Sequence, residues 1–242
     1  MDIQEYRQRR ETLLSEKPKY RCLCMTCMQP DFGCYCPHVQ KFDPKIKFVI
    51  LIHPIEVKRR IATGRMSHLC MPSSKLVMGQ DYTLNKEINE ILEDSNNQPV
   101  VLYPGRKSLN LTGMSAEQRT EVFDSGKTPV VFVIDGTWAT ARKMIRQSKN
   151  LFDLPRICFT PPGPSRFRVR KQPGVECYST IEAIHHTIEL LGDSAGFSTM
   201  DREHDKLLYV FDKMVERQLD FIRESLKNPR AMAYRRQRLQ SA

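Results

Sequence analysis

The sequence predicts an α/β domain built on a mostly parallel sheet, preceded by a small cysteine-rich module. Three observations carry this. From Lys45 onward, short apolar runs alternate with amphipathic segments at helical spacing. Four of the runs end in loops rich in Pro, Gly or Asp: His53-Pro54, Tyr103-Pro-Gly-Arg106, Asp135-Gly-Thr-Trp138 and Thr160-Pro-Pro-Gly-Pro164. Before them, Cys22, Cys24, Cys27, Cys34 and Cys36 crowd into fifteen residues.

Taken in order, residues 1–20 read as a basic, partly helical lead-in, and 21–44 as the cysteine module, turned by Pro30, Gly33, Pro37 and Pro44. Together, residues 1–44 form the accessory part and residues 45–242 the main domain. Strands are expected at Phe48–Ile52, Lys75–Met78, Val100–Tyr103, Val130–Ile134 and Arg156–Thr160. Two helices announce themselves by capping boxes, Ser115-Ala-Glu-Gln118 and Ser179-Thr-Ile-Glu182. A third follows Asp135, with Trp138, Ala141 and Ile145 on one face and Arg142, Lys143, Arg146 and Lys149 around the rest. A long helix spans about residues 201–225, followed by a basic tail containing Arg235-Arg236. Ligands of open parallel sheets bind beyond the carboxyl ends of the strands, so the four loops are expected to share one crevice.

The formal net charge is +10, a field that draws polyanions but does not choose among them. The longest uncharged apolar runs, such as Phe48–Ile52 and Val130–Ile134, are strand-sized, far short of a membrane span. The N-terminus has charge with no apolar segment behind it. A cytoplasmic protein is expected, without a membrane partner. The oligomeric state is not legible, and a monomer suffices.

In a reducing compartment clustered cysteines point to metal, not to disulfides. Cys24-x2-Cys27-x6-Cys34-x-Cys36 offers two close thiolate pairs joined by a turn, which suits a tetrahedral, closed, structural Zn²⁺ site. Cys22 is a fifth thiol that competes with Cys24, and His38 is a weaker candidate ligand. Asp135 ends an apolar strand just before a helix. That position suits a ligand-facing carboxylate, and equally an ordinary N-cap.

Here the residues resemble a family. Asp135-Gly-Thr-Trp138 is similar to the Asp-x-Thr-Trp signature of the DTW-domain proteins, the tRNA-uridine aminocarboxypropyltransferases. The cysteine module, Leu51-Ile-His-Pro-x-Glu56 with Arg60-x3-Gly64-Arg65, Leu102-Tyr-Pro-Gly105 and Ser179-Thr-x-Glu-Ala183 follow the family's order. Ala62-Thr63 departs from it where relatives tend to carry Asn-Thr. The resemblance implies a SPOUT-like fold with a C-terminal trefoil knot, S-adenosylmethionine as co-substrate and tRNA as partner. It implies transfer of the 3-amino-3-carboxypropyl group to uridine N3, with release of methylthioadenosine. Asp135 becomes the candidate base that takes the N3 proton. Leu102, Tyr103, Gly105, Gly136, Thr137, Trp138, Ser179 and Thr180 become candidate cofactor contacts. Tryptophan is mostly buried, so the indole of Trp138 is expected to pack beneath its loop in preference to the alternative, stacking on a base.

For RNA, Ser165–Lys171 alternates like a strand, with Arg166, Arg168 and Arg170 on one side and Phe167 and Val169 on the other. The same pattern fits a charged edge strand that blocks aggregation. Arg59, Arg60, Arg65 and Arg142 extend the candidate footprint. His185-His186 is read as structural. Two rival functions remain at this point: a SPOUT-type RNA methyltransferase, and a non-enzymatic zinc-knuckle RNA-binding protein.

Overall fold

The computed structural model describes residues 2–5, 7–8, 22–57, 59, 61–124, 126–169, 174 and 176–227. Its sheet has six strands: β1 (Lys47–Ile52), β2 (Lys75–Met78), β3 (Asn97–Leu102), β4 (Leu109–Asn110), β5 (Thr128–Asp135) and β6 (Arg156–Cys158). They lie in the order β2-β1-β5-β3-β6-β4, and each pairing is parallel. The main helices are α1 (Thr63–Cys70), α2 (Lys86–Glu93), α3 (Ala116–Thr120), α4 (Trp138–Gln147), α5 (Thr180–Leu191) and α6 (Asp205–Leu226).

Why the strands read as continuous apolar runs follows from their surroundings: both faces are covered. Phe48, Ile50, Val131 and Val133 pack with Met66, Ile184 and Phe211 on one side. Val49, Leu51, Val130 and Phe132 pack with Ile88, Ile91, Met144 and Ile145 on the other. Successive residues of one strand therefore serve opposite cores. Each fully buried Ile or Phe contributes roughly 1.5–3 kcal/mol, well above an exposed pair such as Lys86–Glu90. Burial of α1, α5 and α6 thus sets the fold, and surface charge does not.

The expected strands differ from the observed ones at their ends. β3 begins at Asn97, earlier than Val100, because Asn97 and Gln98 use their side chains on Ile91 O (2.9 Å) and Val122 O (3.1 Å). β6 stops at Cys158. Beyond it Thr160 bonds Thr112 Oγ1 through its N–H (3.0 Å) and Asn110 Nδ2 through its hydroxyl (3.0 Å), so side chains replace the ladder. The strand expected over Ser165–Lys171 is absent among its described residues. The Arg168 N–H turns back to Arg166 O (2.8 Å). The alternation of burial survives in this turn, because Phe167 is buried against Phe211 while Arg166 and Arg168 face out.

Both capping boxes form. Ser115 Oγ accepts from Gln118 N (3.3 Å) and Gln118 Oε1 from Ser115 N (2.9 Å). At α5, Glu182 is buried and gathers Ser179 N (2.8 Å), Ser179 Oγ (2.6 Å), Arg166 N (2.6 Å) and Ser165 Oγ (2.8 Å). One carboxylate thereby pins the loop after β6 to the start of α5. Helices α1 and α2 lie outside the sequence expectations; α1 starts at Ala62 without a side-chain cap, while Asn85 caps α2. Among the described residues, no helix is long and apolar enough to cross a membrane.

The interface of α5 and α6 carries an ion-pair network. His185 Nε2 meets Asp205 Oδ1 (2.7 Å), His204 Nε2 meets Glu189 Oε2 (2.5 Å), and Arg202 bridges both carboxylates. Burial holds the imidazoles of His68, His185 and His186 below the usual histidine value of 6.5. Their folded-state pKa values lie under the unfolded one, so the unfolded chain binds more protons as pH falls through 6.5. Stability is therefore expected to fall on acidification from about pH 7.5 to about pH 5.5. Calorimetric melting midpoints would show it; a flat profile would contradict it.

Candidate functional site at the carboxyl edge of the sheet

Because every strand runs the same way, the loops after β1, β3, β5 and β6 emerge at one edge. Asp135 closes β5 opposite Ile52, and its carbonyl accepts the His53 N–H (3.0 Å), which ties the first loop to the third. The residue is 6% exposed, and its Oδ1 accepts from the Thr180 hydroxyl at 2.6 Å. A Cβ on Gly64 would stand 2.4 Å from Asp135 Oδ2 and 3.0 Å from Ile50 Cγ2. Three helix starts meet here: α1 at Gly64, α4 at Thr137 and α5 at Thr180. Their free N–H groups favour a carboxylate at this point. The carboxylate is packed against Gly64 and Thr180, more enclosed than the partly buried, ligand-facing position that the base role calls for.

Gly64→Ala tests the enclosure. The added methyl collides with the carboxylate and with a strand side chain, so α1 or Asp135 must shift. A loss of about 1–3 kcal/mol of stability is expected, read as a lower denaturation midpoint. An unchanged midpoint would show that the carboxylate is not packed there.

At the start of α4, Thr137 is the N-cap and its hydroxyl accepts from Thr140 N (3.2 Å). Gly136 lies tightly behind it, since a Cβ would come within 2.6 Å of Thr140 Oγ1. Trp138 is 46% exposed, a correction to the expectation that it packs beneath the loop. It begins α4 beyond the last residue of β5. Its ring lies edge-on to Tyr103, centroids 6.5 Å apart.

Tyr103 is held by its N–H on Ile157 O (3.0 Å) and by Ser108 Oγ on its carbonyl (2.8 Å). Leu102 pairs with Val133 inside the sheet, and Gly105 lies in the same loop, close to Ser108 Oγ. Arg156, which sequence reasoning missed, stacks between Tyr103 (6.0 Å) and Phe152 (5.5 Å). Only its place at a strand start could have signalled this. Ser179 is buried in the Glu182 cap, and Thr180 faces Asp135. Behind the loop after β6 lies a cavity of about 170 Å³ between Pro162, Pro164, Tyr178, Glu182 and His186; Asp135 does not line it.

The cysteine module packs on α6, with Phe32 edge-on to Phe221 (5.2 Å) and Arg217 donating to Phe32 O (2.9 Å). Cys27 and Tyr35 belong to the main core. The Sγ atoms of Cys24, Cys27, Cys34 and Cys36 all lie within 4.8 Å of one another. Cys24–Cys36 and Cys27–Cys34 are 3.7 Å apart. Tetrahedral Zn–S bonds of about 2.3 Å imply edges of about 3.8 Å, so the quartet fits a zinc ion. The N–H groups of Cys27 and Thr26 hold the Cys24 thiol down at about 6. Burial pushes Cys34 and Cys36 up, a conflict that a bound cation removes. Cys22 is exposed and outside the quartet, and His38 instead lies edge-on to Tyr209 (6.1 Å).

A second group, His185, His204 and Asp205, also has metal-ligand spacing. The Arg202 guanidinium already binds Asp205 there, so we read it as an ion-pair network.

The candidate RNA contacts divide. Arg59 pairs with Glu56 (3.3 Å) and Arg166 with Asp212 (2.7 Å). The Nε of Arg65 is buried, whereas Arg142 and Arg168 are exposed. Arg60, Arg170 and Arg235-Arg236 lie outside the described residues.

The family model of the DTW domain matches residues 21–219, most of the chain and all of the edge just described. The chain belongs to the DTW domain family. Among curated relatives of this family member, tRNA-uridine aminocarboxypropyltransferase 2 of Drosophila melanogaster is 28% identical over 184 residues, covering 73% of this chain and 69% of that one. Its counterparts in Mus musculus and Macaca fascicularis are 25% and 26% identical, over 73% of this chain. The chain spans 58% of the length of each of those two. No solved structure gives a significant match.

Proposed function

We propose that this DTW-family chain moves the 3-amino-3-carboxypropyl group of S-adenosylmethionine onto N3 of a uridine in tRNA. The observation that carries the reading is the Asp-x-Thr-Trp loop itself. Its aspartate ends β5, where three helix starts and the loop after β3 meet. The relatives' names supply the reaction class. We further read the fold as SPOUT-like and knotted, since the chain passes from β6, one strand in from the edge of the sheet, back to α5 against α1 and β5. Residues 1–44 serve as a structural zinc module to a catalytic domain over 45–242, in a cytoplasmic monomer.

In chemical terms, N3 loses its proton and its lone pair forms the N–C bond to the γ-carbon. The C–S bond breaks, and its electrons stay on sulfur as methylthioadenosine leaves. Bound S-adenosylmethionine supplies a sulfonium leaving group. The chain's part is to place N3 in line with that carbon and to take the proton. The N–H groups of Trp138 and Ala139, at the first turn of α4, suit a carboxylate. The loop of Tyr103 and Gly105 closes one side, and Thr180 the other. For Asp135 to accept the N3 proton, its contact with Thr180 must yield to the uracil ring; catalytic hydrogen bonds often tighten only in the complex. Chromatography of the spent cofactor tests the reading: methylthioadenosine supports it, and S-adenosylhomocysteine would make the chain a methyltransferase.

A further inference from the structure

We infer that the exposed face of α4 is the track for the RNA strand, and that Trp138 at its head is a stacking platform for one of that strand's bases. The inference rests on the uridine-modifying reading and deepens it.

Trp138, Arg142 and Arg146 follow one another at four-residue steps and are all exposed, with Lys143 beside them. Residues spaced so are neighbours on a helix surface. Among the described residues, none of these three cations has an acidic partner, unlike Arg59 and Arg166. Its ring neighbour Tyr103 is followed in the same loop by Arg106 and Lys107, which are also exposed and have no ion pair among the described residues. A half-exposed aromatic pair therefore adjoins two uncompensated basic stretches, at the sheet edge where Asp135 ends β5. A row of cations with an aromatic face in its midst is the design by which single-stranded nucleic acid is held: phosphates follow the charges and bases stack. The cofactor's adenine needs no such flanking charge, so RNA is the better occupant.

Trp138 is the chain's single tryptophan, so its fluorescence reports on this platform alone. The full chain would be titrated with tRNA, alone and after saturation with S-adenosylmethionine. Expected is strong quenching by tRNA, in the free chain and in the chain already saturated with the cofactor. Arg142→Glu with Arg146→Glu should weaken tRNA binding by about tenfold or more, and lower the salt slope by about 1.4, at roughly 0.7 per phosphate contact. Cofactor affinity should not change in that variant. An indifferent tRNA titration of the cofactor-saturated chain, or unaltered tRNA affinity in the double variant, would each overturn the track. If modified uridine forms without tRNA quenching, the track is wrong and the activity stands. If tRNA quenches yet no modified uridine forms, the track stands and the activity is wrong.

Discussion

Asp135→Asn is expected to lower turnover by roughly 10²–10⁴-fold while leaving the fold intact. Asparagine has the same outline, so it fits against Gly64, and its Oδ1 still accepts the Thr180 hydroxyl. What is lost is the negative charge and the proton acceptor. Losing a carboxylate beside helix starts costs about 0.3–1 kcal/mol per helix end, too little to unfold the chain. Single-turnover rates with saturating cofactor and tRNA separate the chemistry from binding. Parent-like turnover in this variant would leave the carboxylate only a positioning role, holding Thr180 and the start of α5.

The second large effect concerns the cysteine quartet. Cys27→Ser, or a strong chelator acting on the parent chain, is expected to release one zinc ion and to lower stability by several kcal/mol, roughly 10 °C in melting midpoint. The reason is continuity. Cys27 and Tyr35 are part of the main core, and Phe32 and Arg217 fasten the module to α6. Losing the metal therefore loosens the helix that covers one face of the sheet. Cys22→Ser should keep the zinc, because Cys22 stands outside the quartet. Elemental analysis with thermal melts would decide both points, and zinc lost with Cys22 but retained without Cys27 would reverse the assignment.

Local signals wrote most of the fold. Apolar runs flanked by Pro and Gly located the long strands, because a parallel sheet covered on both faces demands continuous apolar residues. Capping boxes located α3 and α5 for an equally local reason. Strand ends moved where polar side chains act: Asn97 and Gln98 pair in the ladder and anchor themselves sideways, and at Thr160 side chains replace the ladder. Helix α1 was hidden because it opens on Ala62 with no capping side chain and carries a glycine in its first turn. That glycine is explained by the Asp135 carboxylate and the Ile50 side chain it faces, the first a contact 71 residues distant in sequence that no local pattern encodes. For the site, the quartet of thiols was readable from spacing. Which arginines are free was not, since Glu56 and Asp212 claim Arg59 and Arg166 through folding. Trp138 misled for a related reason: helical spacing put it on the core face, but the sheet ends before it.

The most direct measurement is mass spectrometry of nucleosides from tRNA incubated with the chain and S-adenosylmethionine. Expected is 3-(3-amino-3-carboxypropyl)uridine, with methylthioadenosine formed in equal amount. A methylated nucleoside with S-adenosylhomocysteine, or tRNA that emerges unchanged, would contradict it.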